Sequence, residues 1–398
     1  MLSKLRTMNP DSPLTISIAS FVGVMALTPL MLLPILVYVY DEFLEFGPDI
    51  AGRVSSAGLA GIAITTIIVA LKAKHWSLGK ASVVGMVVAT SFTILGLFIH
   101  DVWPFTLLVF LTGLGGGAAQ AAVAAALART THPERAFGIY IGWQFALPAI
   151  GFWWFPRLVE GPGYSPFLSG FNAMLFVILV LCFLALILAP VMSSFKLHKE
   201  DEGGEMEWGL ILKLPALLSV IGLAIYGAAN AAVWAYSEGM GEDAGLDIYQ
   251  TGDIIAYITG LSVIGPLLVV WLQDKIGHYI PLVSGIVLQI IAMYLLLTNQ
   301  TPFGYTIGLG LFSVAWAFTW PYFLSIQASF DHTGTVTSFG QFTNLAGNAV
   351  GPLVAASFVG ADGNYVGAIW VAVALFIVTL VPMLMIRSAR KRELAGAS

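Results

Sequence analysis

Charged side chains are scarce in this chain. Asp, Glu, Lys and Arg make up 10% of its 398 residues, where a soluble globular domain carries about 25%. With 58% apolar residues and a mean hydropathy of +0.88, that scarcity argues against a soluble domain as the main body. Cysteine is nearly absent. Cys182 stands alone in an apolar run, which excludes a disulfide within the chain and any Cys-based metal site. His75, His100, His132, His198, His278 and His332 lie between apolar runs or at their ends, without metal-ligand spacing, so no metal and no cofactor are expected. The one dense glycine run, Gly113 with Gly115, Gly116 and Gly117, sits inside an apolar stretch. A phosphate-cradling loop needs a water interface; here small residues serve close helix packing instead. No Asp, Glu, Lys, Arg or His occupies the middle of an apolar run. That argues against an intramembrane enzyme, and no catalytic residue is assigned.

What the chain does have is twelve apolar stretches, at about 14–40, 49–73, 81–100, 104–129, 136–157, 166–191, 211–239, 249–273, 280–299, 303–329, 333–358 and 363–386. Each is near or above the roughly 20 residues a helix needs to cross about 30 Å of hydrocarbon. The first is preceded by Lys4 and Arg6, as in a signal sequence, but Leu14 to Tyr40 is too long for a cleaved one and reads as a first span. The sequence therefore predicts an all-α polytopic membrane protein. Its twelve transmembrane helices form a 6+6 pair of pseudo-symmetric bundles, residues 1–192 and 210–398. A polar loop, 193–209, joins them, and the second bundle ends in a short tail.

The charges sort by side. Of the 17 Lys and Arg residues, all but Arg53 and Arg157 fall before span 1, after span 12 or in the gaps that follow even-numbered spans. The opposite gaps collect acids, among them Asp41, Glu45, Asp101, Glu160 and Glu242. Short loops rich in Lys and Arg stay in the cytoplasm. Both termini and the central loop are thus expected inside, in a bacterial cytoplasmic membrane. The net charge of −5 says little about partners, because the charges are sorted by side; the expected partners are membrane lipids and a small organic substrate, with no nucleic acid and the protein monomeric.

The halves look related at an offset of about 200 residues. Ala149, Ile150 and Gly151 match Ala349, Val350 and Gly351; Gly52 matches Gly252, and His132 matches His332. Parallel six-helix repeats are a transporter architecture. The twelve spans, the charged central loop and the short loops resemble the major facilitator superfamily over essentially the whole chain. The best local match is Asp274-Lys275-Ile276-Gly277-His278 after span 8, similar to that family's Asp-basic-x-Gly-basic turn. The stretch after span 2, Lys72 to Lys80, keeps the basic residues without the acid. Span 5 carries only Pro148 and Gly151 where the family's antiporter signature is richer in glycine, and the closer pattern, Gly347, Gly351 and Pro352, sits on span 11 instead. The resemblance implies alternating access, with span 5 against span 8 and span 2 against span 11.

Polar residues deep in the spans are the candidate substrate-binding set. They are Tyr140 and Gln144 on span 5, Tyr226 and Asn230 on span 7, Trp316 and Trp320 on span 10, and Gln341, Asn344 and Asn348 on span 11. Helical spacing puts each set on one face, and an amide facing lipid is costly. The competing reading is interhelical hydrogen bonding. Asn172 and Gln289 fall on spans 6 and 9, peripheral in the resembled fold, and are set aside. Arg53, Arg157, Glu238 and Asp253, near span ends, are candidate gating or coupling groups, with Asp274 in the cytoplasmic turn. In the resembled fold Arg157 and Asp253 would form an external gate. Glu238 follows Tyr226, Asn230 and Trp234 at four-residue steps; a carboxyl partly removed from water loads and releases protons near neutrality, so the proton is the candidate coupling ion.

A neutral, amide-bearing, aromatic set fits a small amphipathic or aromatic organic solute. The expected function is secondary active transport of such a solute by alternating access. Facilitated diffusion or a sugar substrate on the same fold, and a transport-inactive receptor, stay open.

Overall fold

The computed structural model describes residues 2–72, 76–161, 163, 165, 167–196, 208–272, 277–330, 335–360 and 364–396. Every regular element among them is a helix. The chain is an all-α polytopic membrane protein of twelve spans in a 6+6 arrangement. Contacts divide it into two compact units, Met1–Gly203 and Gly204–Ser398.

Among the described residues ten spans are long and apolar enough to cross a bilayer. The other two depart for visible reasons. Span 1 is broken into Pro13–Ala26, Thr28–Met31 and Leu33–Glu42. Pro29 and Pro34 sit in the first turns of the second and third pieces, and proline removes a helix donor and clashes with the preceding turn. Span 11, Thr335–Ala356, is a continuous 22-residue helix, but Gln341, Asn344 and Asn348 make it too polar to qualify on composition. Span 8 is also split, into Ile248–Leu261 and Ile264–Leu272.

In the first unit the glycine run of span 4, Val102–Leu127, is the packing centre. A Cβ at Gly113 would lie 2.0 Å from the Gly58 carbonyl of span 2, Pro48–Lys72. One at Gly115 would lie 2.5 Å from Gly85 O of span 3, Leu78–Leu95, and one at Gly116 2.3 Å from Ala26 O of span 1. Three neighbours thus press backbone to backbone on one helix, and Thr65 Oγ1 donates to Leu114 O at 2.7 Å across one of these seams.

The second unit repeats the device between span 7, Leu214–Ala235, and span 11. Cβ atoms at Gly347 and Gly351 would lie 2.0 and 2.2 Å from Ala224 O and Ala228 O. The Gly347-x-x-x-Gly351 pattern is a helix-packing seam. After span 7 the chain kinks at Tyr236 and resumes as a short helix, Ser237–Asp243.

Candidate functional site

The deep polar residues fall into two unit-by-unit clusters. In the second unit Tyr226 is fully buried, its ring 4.9 Å from that of Phe323 and 6.1 Å from that of Phe376. One turn on, Asn230 Nδ2 donates to Tyr226 O at 2.8 Å, and its Oδ1 accepts from Gln289 Nε2 at 2.6 Å. Gln289 lies on span 9, Tyr279–Thr298, and is wholly buried. Set aside as a substrate-binding candidate, Gln289 instead bonds to span 7 across a helix seam. Span 9 packs directly against span 10, Pro302–Ala328, and against span 12, Val366–Gly396, which turns its polar residue inward. The signal was there: one amide in an otherwise apolar 20-residue helix has to face protein.

Asn344 and Asn348, one turn apart on span 11, bond to each other at 3.3 Å. Asn344 Nδ2 also donates to Leu223 O on span 7 at 3.4 Å. Both are buried. The structure thus brings Tyr226, Asn230, Asn344 and Asn348 to helix seams. Trp316, Trp320 and Gln341 are half-buried, the Trp316 ring lying 6.3 Å from that of Trp234.

In the first unit Tyr140, on span 5, Pro133–Val159, donates to Gln120 Oε1 at 2.8 Å. Gln120, on span 4, is a member the sequence reading missed, a lone amide among alanines. Gly23 of span 1 admits this pair, since a Cβ there would stand 2.9 Å from the Tyr140 ring. Gln144 is half-buried, and its neighbour Trp143 packs edge-on against Phe21 at 6.0 Å.

The candidate charges differ sharply from one another. Arg53 is exposed. Arg157 donates to Trp153 O on its own helix and sits over the Trp153 ring, 5.1 Å from its centroid. Asp253, in the second unit, is half-buried, and Asp274 lies outside the described residues. Glu238 is 2% exposed, and neither carboxyl oxygen has a hydrogen-bond partner among the described residues. No group of three or more His, Cys, Asp or Glu side chains suited to a metal occurs among the described residues.

A sequence model of the Major Facilitator Superfamily matches residues 14–352. Solved structures share the fold at low identity. A crystal structure of the nucleoside transporter NupG is 15% identical with a TM-score of 0.69, covering 96% of this chain and 99% of that one. A point mutant of NupG is 14% identical with a TM-score of 0.73, over 95% and 100%. Tetrameric PepTSo2 is 13% identical with a TM-score of 0.69, over 96% and 98%. No curated protein matches.

Proposed function

The chain belongs to the Major Facilitator Superfamily, and on that premise we propose that it is a secondary active transporter of a small, uncharged amphipathic or aromatic organic solute. It carries this solute across the cytoplasmic membrane by alternating access, and it works as a monomer. The observation that supports the solute class is a contrast among the deep polar side chains. Asn230 and Asn344 spend their amides across helix seams and Asn348 bonds to Asn344 on its own helix, all three buried, whereas Gln144, Gln341, Trp316 and Trp320 are half-buried. Amides and indoles bind by hydrogen bonding and stacking, and no Lys, Arg, Asp, Glu or His in the middle of a span supplies a counter-charge. A multiply anionic or permanently cationic solute is poorly served by such a set.

The test is ligand-induced thermal stabilisation of the purified protein. The panel is nucleosides, neutral aromatics, aromatic monoacids, sugars and lipophilic cations. A Gln144→Ala/Gln341→Ala variant is run in parallel, since it spares the amides at the helix seams. A bound ligand raises Tm by mass action, by about 2.7 kcal/mol of stability at a hundred times its Kd. One neutral aromatic class should stabilise the native protein and lose that effect in the variant. Stabilisation by lipophilic cations alone, or equally in both proteins, rejects the proposed solute class or its site.

A further inference from the structure

The Glu238 carboxyl is a costly feature that helix packing does not explain. It is 2% exposed, and both oxygens lack a hydrogen-bond donor among the described residues. Its turn is held on three sides. Tyr305 Oη donates to Ser237 O at 2.8 Å. A Cβ at Gly239 would stand 2.3 Å from Tyr365, whose ring packs on Tyr236 at 5.6 Å. Thr251 of span 8 closes on Gly241 in the same way. An isolated charge in such a place is strongly disfavoured, so the carboxylate needs a cation or a proton.

Among the described residues no basic side chain is hydrogen-bonded to the Glu238 carboxyl. Between Lys213 and Arg387 the only basic side chains are Lys275, His278 and His332. His278 caps span 9, with its Nδ1 3.1 Å from Ser325 Oγ. Ser325 and Tyr305 are 20 residues apart on one helix, a rise of about 30 Å. Lys275 and His332 lie outside the described residues. The titratable groups on the elements around Glu238 are the tyrosines Tyr226, Tyr236, Tyr249, Tyr257, Tyr305, Tyr322 and Tyr365, with Asp247 and Asp253 at the start of span 8 and the exposed Glu242 and Asp243 on its own short helix. All are neutral or acidic, and acids disfavour a second negative charge.

We infer that Glu238 is a proton-binding site, a carboxyl kept neutral inside the second unit that exchanges its proton with water beside Tyr305 and Tyr365. Those two tyrosines also line a small cleft with Met240, Asp243, Asn299 and Gln300, of about 20 Å³, room for one water. The exchange is balanced: one proton passes from water to a carboxyl oxygen and back, and no other bond changes. The sister repeat lacks the site. At the 200-residue offset Phe105 stands for Tyr305 and Tyr38 for Glu238. The Phe105 ring there packs at 5.2, 5.7 and 5.8 Å from those of Tyr40, Phe46 and Phe171. One half keeps an apolar plug where the other keeps a titratable group.

As a coupling site Glu238 rests on the transport reading; as a proton site it stands on its surroundings. The experiment therefore needs neither solute nor transport, and failure of the solute screen leaves it intact. Purified full-length protein is treated with dicyclohexylcarbodiimide, which reacts with protonated carboxyls in apolar settings, and the adduct is located by peptide mass spectrometry. Glu238 should be labelled, and the yield should fall towards about a tenth for each pH unit above its titration point. Replacing sodium chloride with choline chloride should change nothing. In parallel, Tm should fall as pH rises from mildly acid to mildly alkaline, because the folded state loses a proton the unfolded state never held there. Glu238→Gln should melt no lower than the native protein and lose that slope. Absence of the adduct, protection by sodium, or an unchanged slope in Glu238→Gln overturns the inference. If Glu238→Gln fails to fold, labelling of the native protein decides alone.

Discussion

The Asn230 and Gln289 amides, 2.6 Å apart with both residues buried, show how a deep polar residue can be structural. Removing one partner leaves a buried donor or acceptor unpaired, which costs about 1–3 kcal/mol. Removing both costs less, and interhelical bonds in membranes average about 0.6 kcal/mol by double-mutant cycles. Asn230→Leu and Gln289→Leu should each lower Tm in detergent, and the double variant should lie above the sum of the two losses. Strict additivity would show that the bond contributes nothing. At this scale the sequence was only half legible. Four-residue spacing put Tyr226, Asn230, Trp234 and Glu238 on one face of span 7, but that helix ends at Ala235 and Glu238 sits on the short helix that follows. Spacing did not distinguish an amide satisfied across a seam from a half-buried one, because that depends on which neighbour lies opposite. Gln120 was missed and Gln289 set aside for the same reason: each is one partner of a pair whose other member is on a distant stretch of sequence.

Helices in this protein approach as closely as their smallest side chains allow. Water exclusion does not drive helix association within lipid, so van der Waals contact at small residues carries much of it. The 2.0 Å clearance for a Cβ at Gly347 against Ala224 O is below any real contact, so Gly347→Ala must separate spans 7 and 11. Overpacking of this kind costs about 1–3 kcal/mol. Gly310→Ala, whose nearest neighbour would be Ile258 Cγ1 at 3.8 Å, should be tolerated and is the matched control. A Tm drop of several degrees in Gly347→Ala and none in Gly310→Ala is the expected result; equal effects would remove the seam from the account. Span lengths were legible from hydropathy, and so was the packing role of the glycines at Gly113 to Gly117. The breaks at Leu27 and Leu32 were not drawn from Pro29 and Pro34, because an uninterrupted apolar run masks a change in helix direction.

Across the whole chain the spans alternate direction, and the basic residues follow that alternation. With Arg53 and Arg157 the only Lys or Arg on the other side, the bias is strong enough to set orientation on its own, since Lys and Arg flanking the spans determine which loops cross. The prediction is that both termini and the residue 193–209 loop are cytoplasmic. A reporter that fluoresces only in the cytoplasm should be bright when fused after Ser398, and a phosphatase active only outside should work when inserted after Asp243. The reverse pattern would invert the protein and put Glu238 at the cytoplasmic face. Orientation therefore bears on the proton site as well. If the helix carrying Glu238 ends on the outside, the cleft beside Tyr305 and Tyr365 meets the medium that holds the proton gradient in a respiring cell. External acidification should then load Glu238 faster than internal acidification in right-side-out vesicles, as read by carbodiimide labelling. Labelling that responds only to the internal pH would leave the carboxyl titratable but place its access on the other side.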